Sequence, residues 1–476
     1  MNTHSASQLV SASSPFMRFF KVAACALVCW YALKPDALST AGWSLSVVFI
    51  TTIVSIILKL MPMGACALAG VAVLCATNTI TLQTALSGFA YDQLWLIILA
   101  CFLARGVIKT GLGKRTAYAF ISIFGGTPYG MGYGLLVSAA TMAPLIPSTT
   151  ARTGGIILPV FRSIISVLTG KTSGKSPVGE YLTMIVLHGS VLSSALFVTA
   201  NAGNPIIVKF AESMGITISW MDWAKAAFIP GLLSLLLLPP LLLRLCPCKV
   251  DSAKAVQTHA REELTQMGAI SWQEKALLIV FSGLLCLWAF GRFFGVGATE
   301  AALIGVTVLL LVNVLSFKDI LQEELAWDTF LWMGILIMMA SQLQELGVIS
   351  WFTTQVLQYM PEAGGMWQLA ILALIYFYSH YFFASTVAHV SSMYGPFLAL
   401  ASAAGAPPLT SALLLGFLSS LFGGFTQYSS GPSPILYAEQ HVDIKKWWKV
   451  GFLTGLFYLI IWAGIGPLWW RWLAVI

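Results

Sequence analysis

Ala-Pro-Leu-Ile-Pro-Ser-Thr-Thr-Ala-Arg-Thr-Gly-Gly (residues 143–155) and Phe-Phe-Ala-Ser-Thr-Val-Ala-His-Val-Ser-Ser (residues 382–392) interrupt two apolar stretches with small hydroxyl residues and one ionisable side chain each. The apolar pieces beside them, 135–147 and 393–404, would reach only about 20 Å as helices, against a hydrocarbon core of about 30 Å. Polar, non-helical backbone at membrane depth persists only where it is buried in protein or lines a cavity. The two stretches therefore read as the tips of re-entrant hairpins, 135–168 and 367–404, bordering a substrate site.

The rest of the chain supports a membrane setting. Its 476 residues are 58% hydrophobic and 9% charged, with a mean hydropathy of +0.85, far from the roughly one-quarter charged residues of soluble domains. The sequence predicts an all-α polytopic membrane protein of about eleven transmembrane helices, with no room for a sizeable soluble domain. The net charge of +7 is scattered through short loops, which argues against a nucleic-acid partner. With the N-terminus in the cytoplasm, the inner face receives seventeen lysines and arginines, including Lys114, Arg115, Lys445, Lys446 and Lys449. The outer face receives five, Lys34, Lys209, Lys225, Arg292 and Arg471, the asymmetry of the positive-inside rule. The first apolar run, 16–33, lacks a cleavage pattern and reads as a retained helix. Six cysteines lie in apolar segments, and the pair Cys246 and Cys248 lacks the partners of a zinc site. No metal centre is expected.

The domain organisation follows from one hydrophilic break. A polar tail (1–14) precedes a first repeat (15–245), a cytoplasmic linker (246–273) and a second repeat (274–476). Each repeat carries its hairpin and then a broken helix, 181–213 in the first and 409–440 in the second. Thr199 precedes Pro205 by six residues, as Thr426 precedes Pro432. Odd span counts and hairpins entering from opposite faces are the signature of an inverted repeat.

The tips have a definite chemistry. Ser148, Thr149 and Thr150 lead into a helix through Gly154 and Gly155, and a helix N-terminus with free N–H groups binds a carboxylate without many cations. Ser385 and Thr386 offer the same at the second tip, so the pair would hold the two ends of a dicarboxylate. Arg152 reads in two ways, as a counter-charge for substrate or as a side chain capped by hairpin carbonyls. His389 is either a site donor or proton carrier, or a satisfied buried histidine; His188 and His380 carry less weight. Asn201, Gly203 and Asn204 before Pro205, and Ser429, Ser430 and Gly431 before Pro432, are the expected cavity walls, because proline frees a carbonyl and glycine permits unwinding. The segment Gly170–Ser176 imitates a phosphate loop but has Thr169 where the first glycine belongs. No enzyme fingerprint is present.

At the tips and breaks the sequence resembles the divalent anion:sodium symporter family, whose members carry Ser-Asn-Thr at each tip. The corresponding residues here are Ser148-Thr149-Thr150 and Ala384-Ser385-Thr386. The resemblance extends over nearly the whole chain and is closest to the branch of plastid 2-oxoglutarate/malate translocators and bacterial citrate/succinate exchangers. It is carried by Tyr381-Phe382-Phe383-Ala384-Ser385-Thr386, Thr426-Gln427-Tyr428 with Gly431-Pro432, and Glu263-Leu264 through Met267-Gly268. It implies a homodimer with a scaffold and an elevator-type transport domain, dicarboxylate exchange, and no cofactor. Sodium sites in the family would fall near Ser148, Thr150, Thr199, Gly203, Thr386 and Thr426. Loss of both tip asparagines favours exchange over sodium symport. The alternative is a sodium- or proton-coupled di- or tricarboxylate symporter, citrate included; an intramembrane enzyme or channel is the third reading. The expected location is a bacterial inner membrane rather than an organelle envelope.

Overall fold

The computed structural model describes residues 15–58, 60–171, 173–250, 253–358 and 365–473; the polar tail expected at 1–14 lies outside them. Among the described residues every regular element is helical. Among the described residues seven helices are long and apolar enough to cross a membrane, from Thr40–Ile57 to Ile444–Trp472, and Met63–Ala76, Ala298–Leu311 and Pro408–Gly424 are shorter apolar helices. Exposed Phe228, Ile279 and Leu303 are the surface a chain presents when lipid is its solvent.

The chain packs as two compact units, and neither coincides with a half of the sequence. One contains the residues up to Gly88 together with Leu331–Trp351. Within it, a Cβ on Gly88 would lie 1.9 Å from the Gly334 carbonyl oxygen, so only glycine permits that approach. The other contains Phe89–Phe330 and Phe352–Ile476 and holds both hairpins and both broken helices.

The same order of elements runs twice along the chain. Met63–Ala76 is followed by Asn78 with positive φ and the short helix Leu82–Leu86; Ala298–Leu311 is followed by Asn313 with positive φ and Phe317–Leu321. The first hairpin consists of Pro128–Met142, a 3-10 turn at Ala143–Leu145, the tip, and a second arm ending at Thr169. The second consists of Gly365–Ser379, a 3-10 turn at His380–Phe382, the tip, and a second arm ending at Ala403. The broken helices are Pro177–Leu196 with Gly203–Ser213, and Pro408–Leu421 with Pro432–Tyr437. The first hairpin begins at Pro128 rather than 135, where Thr127 caps a helix with proline in its first turn, and the first broken helix begins at Pro177 rather than 181, where Ser176 does the same.

Each second arm opens with one α turn and then a π turn, Thr153–Ile157 in one and Val390–Tyr394 in the other. Proline follows two residues later in both, at Pro159 and Pro396, and also at Pro467 after the π turn Ile460–Ile465. Proline has no N–H for the carbonyl four residues back, and its ring crowds that carbonyl. A locally wider turn accommodates both effects.

The expected cytoplasmic linker contains a 14-residue helix, Ala253–Gln266. It is fastened to the second arm of the first hairpin by a hydrogen bond between Ser163 Oγ and His259 Nε2 at 2.6 Å, and to the preceding helix by Lys114 on Glu263 at 3.2 Å. Arg115 clasps the linker's end, donating to Glu274 and to the carbonyls of Met267 and Gly268.

Candidate functional site

Each tip is an N-cap. Ser148 Oγ accepts from the Ala151 amide at 3.1 Å, and Ser385 Oγ accepts from the Ala388 amide at 3.3 Å. Both serines have extended backbone, both precede one α turn, and both turns lead into the π turns. Ser148 is therefore the structural equivalent of Ser385, one residue along from the pairing with Ala384 that the resemblance gave. Arg152 and His389 become equivalents by the same register.

Arg152 is fully buried. Its Nη1 donates to the carbonyls of Ile146 (2.7 Å) and Ala200 (3.3 Å); its Nη2 donates to the Ser190 carbonyl (3.3 Å) and to Ser193 Oγ (3.1 Å) and Ser194 Oγ (3.2 Å). Nε has no partner. The guanidinium is capped by five neutral oxygens drawn from the first tip and the first broken helix, and among the described residues no carboxylate is paired with it. Ser190, Ser193 and Ser194 were missed as site residues, although their spacing places three hydroxyls on one face of an apolar helix.

His389 is also buried, and its surroundings give His380 a role that the sequence did not. The two Nδ1 atoms stand 3.0 Å apart, His380 Nε2 reaches the Ser429 carbonyl at 2.8 Å, and His389 Nε2 lies 3.2 Å from Ser379 Oγ. Phe422 stacks on both rings at centroid distances of 3.8 and 4.6 Å, and Phe383 stacks on His389 at 4.4 Å.

The breaks bind the tips to one another. Thr150 Oγ1 rests against Gly431, where a Cβ would lie 1.9 Å from it, and Gly154 faces Ile435. Reciprocally, Gly395 of the second hairpin packs under Phe210 of the first broken helix, and Val390 faces Gly203. Thr386 and Ser430 both border Gly423. Asn201 Nδ2 donates to Ser420 Oγ and Ser420 Oγ donates to Asn204 Oδ1, each at 3.2 Å, which joins the two broken helices. Thr199 Oγ1 donates to the Pro144 carbonyl at 2.8 Å and accepts from Trp220 Nε1 at 3.2 Å. Thr426 is buried, with its amide on Ser429 Oγ.

The twelve predicted substrate residues thus fall into one connected cluster of two layers. Ser148, Thr149, Thr150, Ser385, Thr386 and Gly431 retain exposure; Arg152, Asn201, Asn204, His389, Ser429 and Ser430 are buried behind them. Partly exposed hydroxyls at N-caps, backed by neutral polar groups and one fixed cation, suit a small anion.

The family model described as the sodium:sulfate symporter transmembrane region matches residues 13–476. Dicarboxylate transporter 1, chloroplastic, of Spinacia oleracea is 42% identical over 451 residues, covering 94% of this chain and 79% of its own length. Putative malate transporter YflS of Bacillus subtilis (strain 168) is 42% identical over 457 residues, covering 94% and 95%. Among solved structures, the YdaH transporter of Alcanivorax borkumensis matches with a TM-score of 0.55 at 12% identity, covering 97% of this chain and 99% of that one, a likeness of fold alone.

Proposed function

The chain belongs to the sodium:sulfate symporter transmembrane-region family, and on that premise we propose that it is a secondary transporter exchanging one dicarboxylate of the 2-oxoglutarate, malate and succinate class for another. Each tip takes one carboxylate on its N-cap hydroxyls and free amides, Ser148 to Thr150 at one end and Ser385 with Thr386 at the other. The names of the spinach and Bacillus relatives support the substrate class.

The observation that carries exchange over sodium symport is the oxygen shell around Arg152. Loosened backbone carbonyls beside a tip are what transporters use to hold sodium; here the carbonyls of Ile146, Ala200 and Ser190 and two serine hydroxyls are taken by a guanidinium. The cation is tethered. A tethered cation cannot be left on the other side, so the return of the site is driven by a second anion. Family resemblance supports an elevator-type motion of the site, a dimerising scaffold and an inner-membrane location with a cytoplasmic N-terminus.

Radiolabelled 2-oxoglutarate uptake into liposomes, with and without internal malate and with sodium replaced by choline, tests this. Uptake that requires internal malate and ignores sodium is expected. Sodium-dependent uptake into empty vesicles would defeat the exchanger reading.

A further inference from the structure

The two halves of the site place an ionisable group at the same point, the fourth residue after the N-cap serine and the last before the π turn, yet they place unequal charges there. Arg152 is permanently cationic. Its equivalent, His389, is an imidazole locked to a second imidazole. A dianion divided between two tips meets one fixed positive charge and one that depends on a proton.

Hydrogen-bond logic fixes where the protons lie. The Ser429 carbonyl can only accept, so His380 carries its proton on Nε2 and its Nδ1 is an acceptor when the ring is neutral. His389 must then donate from Nδ1 across the 3.0 Å contact, which leaves its Nε2 to accept from the Ser379 hydroxyl. One further proton has one place to go, His389 Nε2. Ser379 then accepts from that nitrogen and sends its own hydrogen to the Tyr376 carbonyl, 2.9 Å away. With one hydroxyl hydrogen, Ser379 can serve only one of its two acceptors while the pair is neutral, so three of the four contacts are hydrogen bonds before the proton arrives and all four are afterwards, with no heavy atom displaced.

Among the described residues no charged group is paired with the resulting imidazolium. The titratable group facing the pair is the Tyr376 phenol, whose ring lies 4.7 Å from His389 and whose hydroxyl is bonded to Ser419 Oγ. The remaining facing rings, Phe383, Phe422 and Phe425, are apolar. Among the described residues no carboxylate, lysine or arginine is hydrogen-bonded to or ion-paired with either ring. A carboxylate bound at the second tip, whose N-cap Ser385 lies one turn before His389, would supply the missing negative charge.

We propose that the His380–His389 pair is a proton-binding site that takes one proton from water as a dianionic substrate binds. This rests on the dicarboxylate reading above and adds the proton to it. By reciprocity, a proton that follows the dianion in must also tighten the dianion's hold. Exchange then moves a proton with each dicarboxylate in both directions and remains electrically balanced.

Calorimetry of 2-oxoglutarate binding to the purified full chain at pH 7, where its carboxylates are ionised, in phosphate and in Tris, measures the uptake directly, because the proton is drawn from buffers of different ionisation heat. The wild type is expected to show a buffer-dependent heat corresponding to uptake of up to about one proton, and its affinity to tighten by up to about tenfold per unit as pH falls from 8 to 6. His380→Asn and His389→Gln, which keep hydrogen-bonding groups without a titrating ring, are expected to lose the uptake. Equal wild-type heats in both buffers with an affinity indifferent to pH would overturn the proposal alone. Uptake surviving in both variants would place the proton elsewhere and also overturn it. No heat with any dicarboxylate would overturn the functional reading and this one together.

Discussion

Replacing Gly431 by alanine tests the contact on which the first tip depends. The new Cβ would stand 1.9 Å from Thr150 Oγ1 and 3.2 Å from Thr150 Cβ, so the hydroxyl cannot remain where it is. If Thr150 turns to another rotamer, the cost is about 1 kcal/mol; if the tip backbone moves, it approaches the roughly 3 kcal/mol of an overpacked interior. In either case the displaced group is one of those proposed to receive substrate. At 1.4 kcal/mol per factor of ten, the expected loss of 2-oxoglutarate affinity is about 5- to 150-fold. Counterflow into malate-loaded liposomes, with unlabelled competitor titrated in, gives the affinity, and thermal unfolding of the purified variant separates a loosened tip from a loosened fold. Thr150→Ala removes the colliding oxygen, so the double variant should be less impaired than the two single losses added together. Wild-type affinity in Gly431→Ala, or strict additivity in the double variant, would refute the contact.

Arg152→Met should lower stability by about 3–5 kcal/mol, because it removes the cation that donates to three buried carbonyls and two hydroxyls, of which only the Ser190 carbonyl keeps side-chain donors, Ser193 and Ser194, and should abolish exchange; an unfolding midpoint and uptake equal to wild type would contradict this. Thr386→Ala should weaken binding by about 0.5–1.5 kcal/mol, the net worth of a neutral hydrogen bond, read as a rise in the half-saturating concentration. Gly88→Ala should cost about 1–3 kcal/mol of stability, since the collision is with a backbone carbonyl that cannot turn aside, measured by thermal unfolding. Asp319, in the short helix outside the spans, is opposed by burial but held down to about 2 by hydrogen bonds from Lys109 and Ser316. Its folded-state value lies below its unfolded one of about 4, so its stabilisation is present above pH 4 and fades as pH falls toward 2. The difference in stability between wild type and Asp319→Asn should shrink over that window, and a constant difference would count against the assignment.

The hairpins were legible because hydroxyls and an ionisable residue between short apolar arms have no other place in lipid, and the breaks because glycine and proline announce them. The first arm was underestimated: it begins at Pro128 with Tyr-Gly-Met-Gly-Tyr-Gly, helical through its Thr127 cap rather than through any apolar signal. The pairing of Ser148 with Ser385 required the cap geometry, since local composition fits either register. Arg152 could be flagged as costly, but four of its five partners lie 38 to 48 residues away at Ser190, Ser193, Ser194 and Ala200, and periodicity does not reveal which carbonyl a guanidinium will choose. His380 was undervalued for the same reason, as its importance lies in the carbonyl of Ser429, a group every residue possesses. The linker's helix is weakly apolar and is held by an ion pair, Lys114 with Glu263, and a hydrogen bond, Ser163 with His259, both to side chains far along the chain.

Because Thr150 leans on Gly431 while Gly395 lies beneath Phe210, each hairpin is seated on the segment that the opposite half contributes. Substitutions tolerated in one half are consequently judged by the other, and related sequences should vary in matched pairs across that distance. Anyone seeking to alter cargo preference by grafting a single loop from a cousin would have to bring its distant counterpart along, since a lone graft would arrive with a shape cut for a different seat.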